Sequence, residues 1–261
     1  MTKVRASRGL QQLLEEDPGG YLLYAIEQVQ GQAHHRRLGR VLRRLQRRKH
    51  EVGWLHITDM HNPCDRAIAA MLLNYELPRK ALSPQQERIF ENGTYMHLRY
   101  YNYFLSLPPP FNVEVAVVYR QWPLVGEADV VVNHPNFGPL PLIVELKSIN
   151  DGEFKMLKSP KADHTRQLNG YLGLAVSPLG LVWYESKDTQ AVKSFPVPLD
   201  KERYSGATQR ALGLIDTILE GKLPAPCADE CELDEYVGNL QGVEERIEQL
   251  RVVKERWQNQ N

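Results

Sequence analysis

Hydrophobic residues recur along this chain with two different periods, and the period changes from one segment to the next. Over residues 112–120, valines alternate with other residues, which is the period of two expected of a half-buried strand. Two apolar runs, at 124–132 and 142–149, predict two further strands. A second pair of short apolar segments, at 181–186 and 191–197, predicts a hairpin.

Apolar residues spaced three or four apart predict helices on both sides of these strands. The N-terminal part of the chain also has helix-forming composition, and Pro18-Gly19-Gly20 is expected to end a helix there. The other predicted helices cover 67–75, 84–103, 162–175, 201–220 and 240–258. This order of helices and strands predicts an α/β core with a mixed central β-sheet flanked by helices.

The pattern also suggests a division of the 261 residues into three parts. We predict a helical N-terminal extension over 1–55, a core over 56–235 and a C-terminal helix over 236–261. Hydrophobic residues make up 42% and charged residues 25% of the chain, which is ordinary for a globular protein and argues against extensive disorder.

Overall charge does not indicate a nucleic-acid partner, because 32 basic and 32 acidic residues cancel. Eight of the basic residues nevertheless fall within 36–49, around a narrow apolar stripe. This segment is either a solvated helix face or a helix that follows a phosphate backbone, and the sequence leaves both interpretations open.

The sequence also indicates the cellular compartment of the protein. No apolar leader occupies the first residues, and no apolar stretch reaches transmembrane length. We therefore expect a cytoplasmic protein without a membrane partner. In that reducing environment, the three cysteines are better interpreted as metal ligands than as disulfides.

Charged residues interrupt two of the apolar strands. Asp129 lies in the second predicted strand, and the period of two places Glu145 and Lys147 on one face of the third. A buried carboxylate costs several kcal/mol unless it is paired, protonated or bound to a metal. Carboxylate oxygens are the ligands that Mg²⁺ and Mn²⁺ prefer, and a neighbouring lysine can orient or deprotonate an attacking water, so the pattern favours phosphodiester hydrolysis.

Four motifs follow one another along the chain and together resemble those of RecB-type nucleases of the PD-(D/E)XK superfamily. They are Gly93-x-x-x-His97, Asp129, Glu145-x-Lys147 and Gln167-x-x-x-Tyr171. The resemblance covers roughly residues 58–231 and implies a restriction-endonuclease-like core.

The resemblance also implies roles for these residues. His97, Asp129 and Glu145 are expected to bind Mg²⁺ or Mn²⁺, and Lys147 is expected to be catalytic. Gln167 and Tyr171, four residues apart on one helix face, are expected to lie beside the site as positioning residues. An ordinary helix face packed on the sheet is also compatible with that last pair.

The cysteines resemble a second feature of the same family. Some RecB-type nucleases, including the CRISPR-associated adaptation nuclease and the AddB helicase subunit, hold a [4Fe-4S] cluster through one cysteine before the core and three after it. Cys64 resembles the first position, and Cys227 and Cys231 resemble the later group, but a fourth cysteine is missing. His61 offers a fourth ligand, which leaves a zinc site and an iron-sulfur cluster both open. The alternative is that Cys64 is a small buried hydrophobic residue and the other two lie in a loop.

These observations lead to two expectations about function. The first is a metal-dependent DNA nuclease, an exonuclease acting on single strands or duplex ends in replication, recombination, repair or phage DNA processing. The second is a non-cleaving nucleic-acid-binding subunit that retains the nuclease fold. A helicase or recombination partner is compatible with either, and the preference for DNA comes from the resemblance alone.

Overall fold

The computed structural model describes residues 17–29, 51–77, 81–225 and 242–260. Within those ranges the chain forms two compact units. The first contains the described residues 17–29, 82–117 and 127–199, and the second contains 51–77, 81, 118–126, 200–225 and 242–260. The predicted division into 1–55, 56–235 and 236–261 stays a prediction.

Helices and strands alternate along the described chain. The helices are α1 (Pro18–Val29), α2 (Asp65–Leu72), α3 (Pro84–Leu105), α4 (Asp151–Met156), α5 (Ala162–Ala175), α6 (Lys201–Leu219) and α7 (Val243–Gln258). The strands are β1 (Leu55–His56), β2 (Asn112–Gln121), β3 (Leu124–Asn133), β4 (Leu142–Ile149), β5 (Leu179–Ser186) and β6 (Val192–Pro198).

The sheet of the first unit is mixed, as the sequence predicts. Strand β3 pairs with β2 and runs antiparallel to β4. Strand β4 runs parallel to β5, and β5 runs antiparallel to β6. Because parallel neighbours cannot be joined by a tight turn, the chain between β4 and β5 crosses over through α4 and α5.

The two faces of this sheet carry different side chains. On one face, residues such as Val144 and Trp183 join a hydrophobic cluster with residues of α1 and α3, among them Ile26 and Phe104. The period of two turns the alternate residues of β4 and β5 the other way, toward α5, which packs on both strands. The prediction of a mixed central sheet flanked by helices is therefore confirmed.

The start of α1 was not predicted. Pro18, Gly19 and Gly20 form its first turn, and the expectation that they end a preceding helix concerns residues outside the described ranges and stays a prediction. Proline is tolerated there because its missing N–H has no intrahelical acceptor, and the Asp17 carboxylate accepts a hydrogen bond from the Gly20 N–H at 2.9 Å. Gly19 allows close packing, since a Cβ at that position would lie 2.0 Å from Oγ of Ser194.

The second unit is built around α6. Helices α2 and α7 both pack against α6, and β1 pairs in parallel with the first residues of β3. The Arg210 side chain of α6 donates to the Asp65 carboxylate and to the carbonyl oxygens of Met60 and Asn62. Within the described part of the chain, no helix is both long and apolar enough to cross a membrane.

Candidate active site

Helix α3 brings His97 to the sheet, and its start is set by the sequence. Pro84 occupies the first turn, and Ser83 and Gln86 form a capping box in which each side chain accepts a hydrogen bond from the other's backbone N–H. Continuous helical spacing then places His97 and Tyr101, four residues apart, on one face. That face is directed at β3.

Asp129 of β3 is held on both carboxylate oxygens. Its Oδ1 accepts a hydrogen bond from the Tyr101 hydroxyl at 3.1 Å and lies 3.2 Å from Nδ1 of His97. Its Oδ2 accepts the backbone N–H of Leu146 at 2.9 Å. Val130 of β3 and Val144 of β4 are register partners. Next to this pair, the Asp129 side chain accepts a hydrogen bond from a backbone amide of β4.

Glu145 and Lys147 of β4 form an ion pair, with Nζ 2.6 Å from Oε1. Lys147 Nζ also donates to Oε1 of Gln167 at 2.9 Å, and Nε2 of Gln167 donates to the Tyr171 hydroxyl at 2.8 Å. The pair on α5 predicted from its spacing of four therefore continues the polar chain that begins at Glu145. This contact fixes the Lys147 side chain between β4 and α5.

Glu145 is the most unusual member of the cluster. Its side chain is only 2% exposed, and its Oε2 atom has no hydrogen-bond partner among the described residues. A buried carboxylate oxygen without a partner costs free energy, so its environment favours either a proton or a cation at that atom.

The pKa values of the two carboxyl groups diverge. Burial raises the pKa of Glu145 to about 7, and the negative charge of Asp129 adds to this, although Lys147 opposes it. Burial also acts to raise the pKa of Asp129, but the nearby His97 and Lys147 and the Leu146 N–H outweigh it and lower that pKa. Asp129 is therefore the permanent anion of the site, and Glu145 the carboxyl group that titrates.

The neighbouring carboxylates raise the pKa values of the two basic groups. Burial alone would lower the pKa of His97, but the charge of Asp129 and its hydrogen bond raise it overall. Burial would likewise lower the pKa of Lys147, and the adjacent Glu145 raises it overall. Asp129 and Glu145 thus favour the protonated forms of His97 and Lys147.

The donor chemistry of this cluster fits a hard divalent cation. Asp129 and Glu145 supply carboxylate oxygens, His97 supplies an imidazole nitrogen, and Oε2 of Glu145 is a buried acceptor without a partner. Among the described residues, no three His, Cys, Asp or Glu side chains are already gathered in a metal-binding arrangement. Lys147, His97 and Tyr101 instead hold the carboxylates, so these side chains would have to shift when an ion binds.

Two residues near this cluster were not predicted from the sequence. Tyr101 binds Asp129, and a signal for it exists, since it follows His97 by one helical turn. Arg99 also comes from α3 and places its NH2 group 2.5 Å from both carboxylate oxygens of the buried Glu185 on β5. Nothing in the local pattern indicates this second pair, because 86 residues separate its members.

The predicted cysteine site lies only partly within the described residues. Cys64 is buried at 5% exposure and precedes α2, and its backbone N–H donates to Oδ1 of Asn62 at 2.9 Å. His61 ends a short 3₁₀ turn that begins at Asp59. Cys227 and Cys231 lie outside the described residues, so the cysteine-bound metal stays a prediction.

Comparison with known proteins found no family model and no curated protein that match this chain. Solved structures that resemble it include SSO0001, at a TM-score of 0.44 and 17% identity over 86% of this chain and 97% of that one. An alkaline exonuclease from Laribacter hongkongensis, which has also been solved with dAMP, gives a TM-score of 0.46 and 11% identity over 65% of this chain and 90% of that one. A phage-related exonuclease from Haemophilus somnus gives a TM-score of 0.40 and 14% identity over 60% of this chain and 81% of that one. Likenesses at this level do not place the chain in a family.

Proposed function

We propose that this protein is a metal-dependent nuclease that hydrolyses phosphodiester bonds in DNA. The observation that carries the proposal is the buried cluster in which Glu145, with one unpartnered oxygen, lies between Lys147 and Asp129. A structural ion pair would not need a second carboxylate beside it, because like charges at close range raise the free energy of the folded protein.

Each residue has a task in this proposal. Asp129, Glu145 and His97 hold Mg²⁺ or Mn²⁺, and such an ion supplies positive charge beside the phosphate and lowers the pKa of a bound water. Lys147, whose pKa is raised, acts as an ammonium group that donates to a phosphate oxygen or orients the water. Gln167 and Tyr171 hold the lysine in position.

Hydrolysis adds the oxygen of one water to phosphorus and breaks the bond from phosphorus to a sugar oxygen, which leaves with a proton. The ammonium group of Lys147 stabilises the negative charge that develops on the phosphoryl oxygens. Preorganised positive groups of this kind stabilise a transition state because they need no rearrangement when the charge forms.

The test is a cleavage assay on end-labelled linear, circular and single-stranded DNA with Mg²⁺ or Mn²⁺. We expect wild-type protein to cut, and Glu145→Gln and Asp129→Asn to reduce the rate by at least about a hundredfold, the scale of removing one electrostatic contributor. Met156→Ala is the control, because this side chain is 79% exposed and outside the cluster. Full metal-dependent cleavage by Glu145→Gln would falsify the site assignment.

The same assay addresses the rest of the proposal. Cutting of linear but not circular DNA supports an exonuclease, whereas binding without cutting under all metal conditions supports the non-cleaving alternative. Metal analysis and an absorption spectrum of the purified protein distinguish zinc from iron-sulfur at Cys64, Cys227, Cys231 and His61. Iron with a visible charge-transfer band indicates a cluster, and zinc without one indicates a Cys₃His site.

A further inference from the structure

A cavity of about 330 Å³ lies in the first unit, at the edge of the sheet where the parallel strands β4 and β5 end. Helix α3 forms one wall through Asn92, Tyr95 and Arg99. Ser148 and Glu185, which are register partners at the ends of the two strands, form another. Ligands of open α/β sheets bind in crevices at the carboxyl ends of parallel strands, so the position is suited to binding.

The cavity adjoins the candidate active site along α3. Met96, which lines the cavity, directly precedes His97 on this helix. Gly93 lies one helical turn before His97, and a Cβ placed on it would be 3.9 Å from Oγ of Ser148. The Ser148 side chain therefore lies beside the stretch of α3 that carries His97, whereas Lys147, the residue before it on β4, turns toward α5.

The lining is polar and rigid. Glu185 is buried and forms a bidentate pair with Arg99, whose buried Nε has no hydrogen-bond acceptor among the described residues. The backbone N–H of Lys187, at the rim, donates to the carbonyl of Ile149 at 2.8 Å and ties the strand ends together. Arg99 and Glu185 compensate each other, and the exposed Lys187 supplies a further positive charge at the rim, where it also acts on the Glu153 carboxylate.

The rim carries an aromatic ring that no protein packing requires. Tyr95 is 67% exposed although it lies on the same helix as the buried Tyr100 and Tyr101. An exposed aromatic ring beside a positive charge is the combination that binds unpaired nucleotides, since the ring stacks on a base and the charge attracts the phosphate.

We propose that this cavity is a subsite for one unpaired nucleotide of the DNA strand next to the phosphate that is cut. Tyr95 stacks on the base, Lys187 contacts the flanking phosphate, and Asn92 bonds to the base edge. The volume is on the scale of a single nucleotide, and a base can stack on Tyr95 only when it is unpaired, so the substrate is a single strand or a frayed end. The inference rests on the proposed function, and it deepens that function by naming the form of DNA bound.

The test is a binding scan with an abasic nucleotide. Fluorescence anisotropy measures the affinity of short single-stranded DNAs in which one abasic site is moved position by position. The protein is the full chain carrying Glu145→Gln, in EDTA, so that nothing is cut. We expect one abasic position to weaken binding about tenfold, which is the scale of losing one base stacked on an aromatic ring.

Variants then assign that loss to the cavity. Tyr95→Ala should weaken binding of intact DNA about tenfold and remove the abasic effect, whereas Tyr95→Phe should keep both. Ile89→Ala is the matched control, because this residue is an exposed apolar side chain of α3 outside the cavity. Tyr95 is exposed, so its removal should leave the fold intact, and circular dichroism checks this.

Three results separate the subsite from the nuclease activity. A flat abasic profile, or one that Tyr95→Ala leaves unchanged, overturns the subsite even if wild-type protein cuts DNA. A profile that is flat while Lys187→Ala weakens binding at every position equally also overturns it, because the cavity then holds only a phosphate. A Tyr95-dependent profile in a protein that never cuts supports the subsite and rejects the nuclease.

Discussion

At the scale of single residues, the central feature is that burial and charge separate the two carboxyl groups of one site. Asp129 is held ionised by His97, Tyr101 and a backbone amide, while Glu145 keeps a raised pKa and an unpartnered oxygen. Pairs of titratable groups whose environments drive their pKa values apart are characteristic of catalytic centres. The stability of the metal-free protein should report this directly.

We predict that the contribution of Glu145 to the stability of the metal-free protein is lost as pH rises. The pKa of Glu145 is raised from 4.5 to about 7, so the folded state binds more protons than the unfolded state between these values. Its contribution is fully present below the lower value and is lost as pH rises through the higher one. The pKa of His97 is also raised, so its contribution to stability is likewise lost as pH rises through the folded-state pKa of His97.

Urea unfolding of wild-type protein and Glu145→Gln in EDTA from pH 5 to pH 8 isolates this contribution, because His164, whose pKa burial lowers to about 4, acts in the opposite direction in both proteins. The stability of wild type relative to the variant should fall by roughly 2 kcal/mol over this range, given that one pKa unit corresponds to about 1.4 kcal/mol. Stability profiles that run parallel in the two proteins would contradict the assignment of Glu145 as the titrating carboxyl group.

Tyr101→Phe should weaken the site without disrupting the fold. The variant loses the hydroxyl that donates to Oδ1 of Asp129 and keeps the buried ring. We expect a loss of about 1 kcal/mol in stability, typical of one hydrogen bond. The cleavage rate should fall about five- to twentyfold, which corresponds to a similar or slightly larger loss of free energy in the transition state. Tyr103→Phe on the same helix is the control, and an unchanged rate in Tyr101→Phe would remove this residue from the site.

At the scale of elements, the site depends on how closely helices approach the sheet. Helix α3 carries His97 and Tyr101 to β3, and α5 carries Gln167 and Tyr171 to β4. Helix α1 approaches β6 so closely that only glycine fits at position 19. Close packing of this kind makes small increases in side-chain volume costly.

Gly19→Ala should therefore destabilise the protein by about 1–3 kcal/mol, the usual cost of overpacking, despite the better helix propensity of alanine. The added Cβ would meet Oγ and Cβ of Ser194 at 2.0 and 2.8 Å. Gly206→Ala in α6 is the matched control, since a Cβ at that helical position would meet nothing within 4 Å. Chemical denaturation measures both, and Ser194→Gly should restore the stability of Gly19→Ala.

At the scale of the whole molecule, a cation bound to the folded protein alone must stabilise it by mass action. The proposed ligands come from one helix and two strands, so the unfolded chain does not present them together. Near a hundredfold excess of free Mn²⁺ over its dissociation constant, the expected gain is about 2.7 kcal/mol.

Thermal unfolding with and without Mn²⁺ measures this gain. The midpoint of wild-type protein should rise by several degrees, and that of Glu145→Gln should rise much less. Met156→Ala serves again as the control, because its exposed side chain lies on α4 outside the cluster. Equal shifts in all three proteins would place the Mn²⁺ site somewhere other than Glu145.

The sequence by itself determined the elements that build the site. The alternation in 112–120 and the apolar runs at 124–132 and 142–149 predicted strands that the structure contains, and the period of two placed Glu145 and Lys147 on one face of β4. Helical spacing likewise predicted α5 and the pairing of Gln167 with Tyr171. These features could be predicted because they depend on neighbours within one or two turns of the chain. The start of α1 at Pro18 was not predicted, because a Pro-Gly pair is compatible with either end of a helix.

Only the tertiary structure decided which side chains meet. Tyr101 and Asp129 are 28 residues apart, and Arg99 and Glu185 are 86 apart, and no local period encodes either contact. The unpartnered oxygen of Glu145 and its raised pKa likewise follow from burial that several distant elements produce together. Sequence determined the chemistry available on each element, whereas packing decided which charges are paired, which are buried and where the cavity beside them lies, because those depend on the three-dimensional distances between elements.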